Sequence, residues 1–168
     1  MTELRTERLR LRAASPADAA ALHRIFTDPE AMRYWSRPPH RALEETTRWL
    51  RSMLDSEANG VTDFVVEYEG EVIGKAGCWR LPEVGFILAR PFWRRGFAHE
   101  ALRAVIARVF ADHPVEALEA DVDPRNEACL GLLRKLGFEE TGRAERTYRV
   151  GDEWVDSVYL RLARPAAG

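Results

Sequence analysis

The chain is short of the residues that mark a metalloprotein or a disulfide scaffold. Two cysteines, Cys78 and Cys129, stand far apart in 168 residues and show no metal-ligand spacing. They read as two reduced thiols. The four histidines (His23, His40, His99, His113) are scattered, with no pair at H-x-x-x-H spacing, so no metal is expected. Charge of one sign is lacking too: 25 basic residues face 27 acidic ones. That balance gives no polyanion-binding field and argues against a nucleic-acid role. No apolar run reaches membrane-spanning length, and Met1 to Arg12 is charged with no apolar core. Neither a membrane span nor a signal peptide is expected, and the expected compartment is the cytoplasm. Neither G-x-x-x-x-G-K-[ST] nor G-x-G-x-x-G occurs, which argues against a generic nucleotide-binding protein.

What remains is an ordinary globular composition, 46% hydrophobic and 31% charged, on a chain long enough to bury a substantial core. One domain over residues 1–168 is expected. Leu9 to Arg12 alternates as a half-buried strand. Ser15-Pro16-Ala17-Asp18 carries a serine cap, a proline at the first helical position and an acid three residues on. The helix it opens turns Ala19, Leu22, Ile25 and Phe26 to one side. A second helix is expected over about 42–56, with Trp49, Leu50, Met53 and Leu54 inward, then a turn at Asn59-Gly60. Phe64 to Tyr68 and Val72 to Trp79 read as strands around a Glu69-Gly70 hairpin turn. Leu81-Pro82 ends the second strand, and another strand begins at Glu83. Ala101, Leu102, Val105, Ile106, Val109 and Phe110 form one helical stripe. A strand over 117–122 follows, then a helix burying Cys129, Leu132, Leu133 and Leu136, with Gly137 at the left-handed cap position. Thr147 to Val150 and Glu153 to Leu162 close the fold as a hairpin, and 164–168 reads as a tail. The expected architecture is a mixed α/β (α+β) layer fold. Its largely antiparallel sheet has about seven strands, with about four helices beside it.

The most informative stretch is Pro91-Phe92-Trp93-Arg94-Arg95-Gly96-Phe97-Ala98-His99-Glu100-Ala101, at a strand-to-helix junction. Helix N-termini present unpartnered N–H groups and favour anions. Gly96 permits close backbone approach, Ala98 leaves the first turn uncrowded, and Arg94 and Arg95 add positive charge. The segment suits a phosphorylated ligand.

These residues, in this order, resemble the GNAT superfamily of acyl-CoA-dependent N-acetyltransferases over roughly Thr6 to Arg164. The family signature, Gln/Arg-x-x-Gly-x-Gly/Ala, reads here Trp93-Arg94-Arg95-Gly96-Phe97-Ala98, with Trp93 departing at the first position. Thr6 to Arg12, Glu83 to Phe86, Phe92-Trp93 with Gly96 to Ala101, Asn126 to Cys129, Leu136-Gly137-Phe138 and Trp154 to Ser157 resemble the RimJ/RimL-type branch, which acetylates protein N-termini. The resemblance implies acetyl-CoA as donor and a primary amine as acceptor, either a protein N-terminus or a small molecule. It implies a diphosphate at Arg94, Arg95, Gly96, Phe97 and Ala98. A pantetheine arm would run along the main chain of Phe86, Ile87 and Leu88, with Asn126 bonded to it. Glu83 is the expected base, with Asp63 and Glu67 as weaker competitors on outward strand positions. The tyrosine that serves many family members as acid is replaced by Leu133. Cys129 stands where the RimJ/RimL-type branch often has serine, and a thiol donates a weak hydrogen bond. Glu100 reads as decoration on its helix. A non-catalytic acyl-CoA sensor is the rival reading. Dimers are frequent among similar proteins, and nothing in the chain shows one.

Overall fold

The computed structural model describes residues 3–58 and 62–167; the expected turn at residues 59 and 60 lies outside the described residues. The strands are β1 (Leu4–Arg5), β2 (Leu9–Arg12), β3 (Asp63–Tyr68), β4 (Glu71–Arg80), β5 (Glu83–Leu88), β6 (Ala117–Val122), β7 (Glu139–Val150) and β8 (Glu153–Ala163). The helices are α1 (Ala19–Phe26), α2 (Leu43–Ala58), α3 (Phe97–Asp112) and α4 (Glu127–Lys135). All eight strands form one sheet, ordered β1-β2-β3-β4-β5-β6-β8-β7. The strand beyond the expected seven is β1, two residues long and too short to show a period. Every neighbouring pair is antiparallel except β5 with β6.

Local chemistry explains most boundaries. Ser15 and Asp18 form a reciprocal capping box around Pro16, although the first turn is 3-10 in form. Glu69 and Gly70 both take positive φ, 49° and 80°, the pattern of a tight hairpin turn matched to strand twist. Helix α4 ends in a Schellman motif: Phe138 N–H donates to the Leu133 carbonyl and Gly137 N–H to that of Arg134, each at 3.0 Å. Gly137 has φ +99°.

Two apolar layers sandwich the sheet. On one face α3 and α4 pack over Leu11, Phe64, Val66, Leu118, Val158 and Leu160. On the other, α1 and α2 pack over Ile87 with Leu22, Ile25, Phe26, Met32 and Leu50. Trp49 and Leu54 are only half-buried at the edge of this second cluster.

Four expectations need correction. Asp63 does not face solvent: it is 4% exposed and ion-paired with the equally buried Lys75. Lys75 Nζ lies 2.8 Å from Oδ1 and 3.0 Å from Oδ2, with hydrogen-bond geometry only to Oδ2. Helices cover both faces there, so strand alternation does not separate core from solvent. In α4 the buried residues are Leu130 and Leu133; Cys129, Leu132 and Leu136 are half-buried against the same core. Strand β7 begins at Glu139, eight residues before the expected start at Thr147. Its charged, largely exposed face hides the strand period at the sheet edge. Arg164, the first residue of the expected tail, donates through its guanidinium to the carbonyls of Phe110, His113 and Val115.

Two substitutions test the packing. The Ile87 carbonyl oxygen occupies the space of a side chain at Gly74, 2.0 Å from where a Cβ would lie. Gly74→Ala should therefore cost about 1–3 kcal/mol in urea unfolding. His23 Nδ1 and His40 Nδ1 both lie 2.7 Å from the buried Thr46 hydroxyl. Burial lowers the His40 pKa, opposed by Glu45 and aided by His23 and Arg37. The unfolded chain then binds the extra proton more readily, so this contribution is complete above about pH 6.5 and declines as pH falls. Thermal melts at pH 7.5 and 5.5 should show that loss, and His40→Gln should shrink the difference.

Candidate active site

The site grows from the one parallel junction. Strands β5 and β6 share a single registered pair, Glu83 with Glu119, beside a bond from Glu119 N–H to the Pro82 carbonyl at 2.9 Å. Beyond it, β5 stays paired with β4 as far as Leu88, and β6 stays paired with β8 as far as Val122. The two strands thus part toward their C-terminal ends and leave a wedge. Backbone groups on its walls need partners from solvent or a ligand. Phe86, Ile87 and Leu88 line one wall; Phe86 packs against the α3 layer, and Leu88 lies within it. Ile87 packs under α1 and α2. Their side chains are spent on the core, so it is their main chain that faces the wedge.

At the mouth of that wall the chain turns through Pro91 to Gly96 into α3. Gly96 is the N-cap residue, with φ +80° and no side-chain cap. A Cβ there would be strained and would sit 3.2 Å from the Arg8 guanidinium. Only Glu100 N–H reaches back to the Gly96 carbonyl, at 3.1 Å. The amides of Phe97, Ala98 and His99 precede the first intrahelical donor. Arg94 is exposed with φ 59°. Arg95 lies over the rings of Tyr68, Phe92 and Phe97 at 5.0–5.5 Å, so its guanidinium already has aromatic partners.

Three supports of this loop went unread in the sequence. Trp93, the departure from the signature, donates its indole N–H to the Leu88 carbonyl at 2.8 Å and pins the turn to the end of β5. Arg8 donates to the Arg95 carbonyl at 2.9 Å and lies 4.2 Å over the Phe97 ring. Glu100 is not decoration. It accepts from Thr6 Oγ1 at 2.7 Å, and from Arg8 N–H and Nε at 3.1 Å each. Burial opposes its ionisation, but these hydrogen bonds hold its pKa below the usual carboxyl value. The Thr6-Glu7-Arg8 segment is therefore the brace of the loop. The signal for that was the polar pair Thr6 and Arg8 beside the first strands.

The opposite lip carries Asn126, whose carbonyl oxygen caps α4 by accepting from Cys129 N–H at 3.2 Å, leaving its amide nitrogen available. Burial pushes the Cys129 thiol up to about 12, a poor proton donor toward a departing thiolate of about 8.5. Leu133 is 2% exposed within the core. Asp123 is held by Arg125, which also pairs with Glu153 at 2.7 Å. At the apex, Glu83 accepts from Arg80 Nη2 at 2.8 Å. Glu67 is committed to Arg10 and Arg12. The α1–α2 connection touches both lips: Asp28 pairs with Arg90, and Arg125 lies 5.7 Å over the Tyr34 ring.

A family model described as the acetyltransferase (GNAT) domain matches residues 8–139. The chain belongs to the GNAT acetyltransferase family. It is an acyltransferase with acetyl-CoA as its cosubstrate. The uncharacterized N-acetyltransferase p20 of Bacillus licheniformis is 30% identical over the full length of both chains. Spermidine N(1)-acetyltransferase of Escherichia coli is 25% identical, with 90% of this chain and 84% of that one aligned. The solved structure of RimL, a ribosomal L7/L12 alpha-N-protein acetyltransferase in complex with coenzyme A, matches with TM-score 0.86. It covers 99% of this chain and 100% of its own, at 17% identity, a likeness of fold. Among the described residues no group of three or more His, Cys, Asp or Glu is placed to hold a metal, and no helix is long and apolar enough to cross a membrane.

Removing the Glu100 brace should loosen the Gly96 turn. Glu100→Ala is expected to cost about 1–2 kcal/mol in urea unfolding, allowing for solvent screening of Arg8. The same variant should bind coenzyme A more weakly in calorimetry.

Proposed function

We propose that this GNAT acetyltransferase moves the acetyl group of acetyl-CoA to a primary amine by direct attack on the thioester, with a protein N-terminal amine as the first acceptor class. The observation that carries the reading is the wedge between β5 and β6 opening onto an uncapped helix start at Gly96. A diphosphate suits the amides of Gly96, Phe97 and Ala98, with the flanking charge of Arg94 and Arg95. A pantetheine arm suits the main chain of Phe86, Ile87 and Leu88, which extends about 3.3 Å per residue, with the Asn126 amide on the opposite lip. Residues 1–168 would act as one acetyltransferase domain.

The chemistry needs a neutral amine. At pH 7 an α-amine of pKa near 7.7–8.0 is about 1–1.4 kcal/mol from neutrality, whereas a lysine-like amine near 10.4 is about 4.6 kcal/mol away. A modest carboxylate field suffices for the first, and Glu83 at the apex supplies part of it. The departing thiolate, near 8.5, leaves without a strong acid. That suits a site with Leu133 in place of tyrosine and only a weak S–H donor at Cys129.

A small-molecule amine is the second reading. It is favoured by Glu83, Glu119 and Asp121 sharing one face at the junction, and by the likeness to the spermidine enzyme. Calorimetry with acetyl-CoA, followed by thiol release with alanine- and serine-initiated peptides and with spermidine, separates the readings. The expected result is binding, then peptide acetylation whose rate climbs through pH 7–8 and levels as the α-amine becomes neutral. Faster turnover of spermidine favours the second reading. Binding without turnover on any amine overturns both and leaves the acyl-CoA sensor.

A further inference from the structure

We infer that Asp121 is the group that takes the proton from the attacking amine, with Ser157 as its positioning residue and Glu83 acting on it through charge. The inference rests on the acetyltransferase reading above and names the base within that site.

Strand β6 alternates: Leu118, Ala120 and Val122 are buried in the α3–α4 core, while Glu119 and Asp121 face the other way. Extending the Glu83–Glu119 register by two residues sets Asp121 across the wedge from Gly85. A Cβ at Gly85 would meet nothing within 4 Å, so no neighbouring atom crowds the wedge at that point. Five of the carboxylates near the site are already held, and Glu119, one turn of the pleat nearer the closed end of the junction, is not among them. Glu83 has Arg80, Asp123 and Glu153 share Arg125, Asp28 has Arg90 and Glu100 has Arg8. Among the described residues no cationic side chain lies within ion-pair distance of Asp121. In the ladder with β8 it stands opposite Tyr159, and Glu119 stands opposite Arg161 without an ion pair between them.

The Asp121 carboxylate is instead placed by neutral groups. Ser157 is fully buried, its hydroxyl 2.6 Å from that of Thr147, and it stabilises the charged form of Asp121. The groups facing this position are Glu83 from β5, Tyr159 from β8, Tyr148 from β7, Glu119 on its own strand, and Asp123 with Arg125 beyond it. Partial desolvation, although the side chain still meets solvent, raises the Asp121 pKa; the Glu83 charge adds to the rise, and Ser157 opposes it. Burial foremost, then the charges of Asp121 and Asp123, push the Tyr148 phenol up to about 12 against the opposing Arg125, keeping it neutral beside the carboxylate. A carboxylate raised from its ordinary value is a better base near neutrality.

The step balances without any further reactant. The ammonium gives one proton to Asp121. The neutral nitrogen forms its bond to the acetyl carbon as the C–S bond breaks. The second proton leaves the nitrogen for the departing thiolate, giving coenzyme A thiol and the amide. Asp121 then releases its proton to solvent, which its exposure permits.

The experiment is Asp121→Asn in the full chain, with acetyl-CoA and whichever of an alanine-initiated peptide or spermidine the wild type acetylates faster. The expected result is acetyl-CoA affinity within twofold of wild type, kcat down about 100-fold or more, and loss of the acidic limb of kcat against pH, while the amine's own rise through pH 7–8 in kcat/KM stays. Glu83→Gln should keep that limb and move it to lower pH. Carboxyl NMR of the wild type, which needs no turnover, should place the Asp121 midpoint above the ordinary value near 3.9. The inference is overturned by an unchanged pH profile in Asp121→Asn, by a fall in acetyl-CoA affinity that accounts for the loss of rate, or by a midpoint at or below the ordinary value. A wild type that binds no acetyl-CoA fails the broader reading instead, and calorimetry alone detects that.

Discussion

One register pair, Glu83 with Glu119, is the hinge point of this molecule. On one side of it the sheet runs from β5 back to β1; on the other it runs through β6 and β8 to β7. Each half is internally antiparallel, and the α3–α4 layer spans both. The strands on either side of the junction are occupied along their far edges, β5 by β4 and β6 by β8, so neither can close the gap without breaking an existing ladder. The open walls are tolerable because a polar backbone can be satisfied by solvent or by a ligand with its own amides.

The loop that follows β5 turns this opening into a site with two electrical ends. At the mouth, an uncapped helix start and two arginines make a place for negative charge. At the apex and on the far face, Glu83, Glu119 and Asp121 make a place for positive charge. The two ends are kept apart by the six residues of β5, a length of about 17 Å from the first Cα to the last at the usual strand rise. A donor with a diphosphate at one end and a thioester at the other matches that polarity, as does an acceptor that arrives as an ammonium ion. The mouth is held open by braces, not by its own sequence. Trp93 ties the turn to Leu88, Arg8 ties it to the first strands, and Glu100 ties Arg8 and Thr6 to α3. These contacts over-determine a turn that contains two left-handed residues, Arg94 and Gly96.

Which features were legible in the sequence follows from their range. Gly96, Asn126 and Gly137 announce themselves because caps and left-handed turns are decided within a few residues. The stripe on α3 is a period within one helix, and the Glu69-Gly70 turn is a dipeptide. The Glu100 brace joins positions 92 and 94 apart, and nothing local at Glu100 distinguishes it from a solvated acid. Trp93 read as a defect in the signature because its partner, the Leu88 carbonyl, is main chain and carries no identity. Asp63 read as outward because one uncovered face was assumed, and α2 removes that premise. The early start of β7 was hidden because an edge strand with charges on both faces has no hydrophobic period to display.

Asp121 belongs to a third class, legible but unweighed. The run Leu118-Glu119-Ala120-Asp121-Val122 shows its outward acids plainly. Which of them meets the wedge, however, depends on where β5 and β6 stop pairing, a property of two strands and not of one. The acceptor is harder to read for a related reason. Its approach is bordered by the α1–α2 connection and by β7, which meet the lips through Asp28 with Arg90 and through Tyr34 with Arg125. Such contacts fix the position of a loop without stating what passes beneath it. Charge and proton affinity discriminate more sharply than shape here. The cost of neutralising the amine differs by about 3 kcal/mol between an α-amine and a lysine-like one, a gap of over a hundredfold in rate. A site whose Asp121 carboxylate has no ion-pair partner among the described residues, and which has Leu133 where many family members have tyrosine, is matched to the smaller of those two costs.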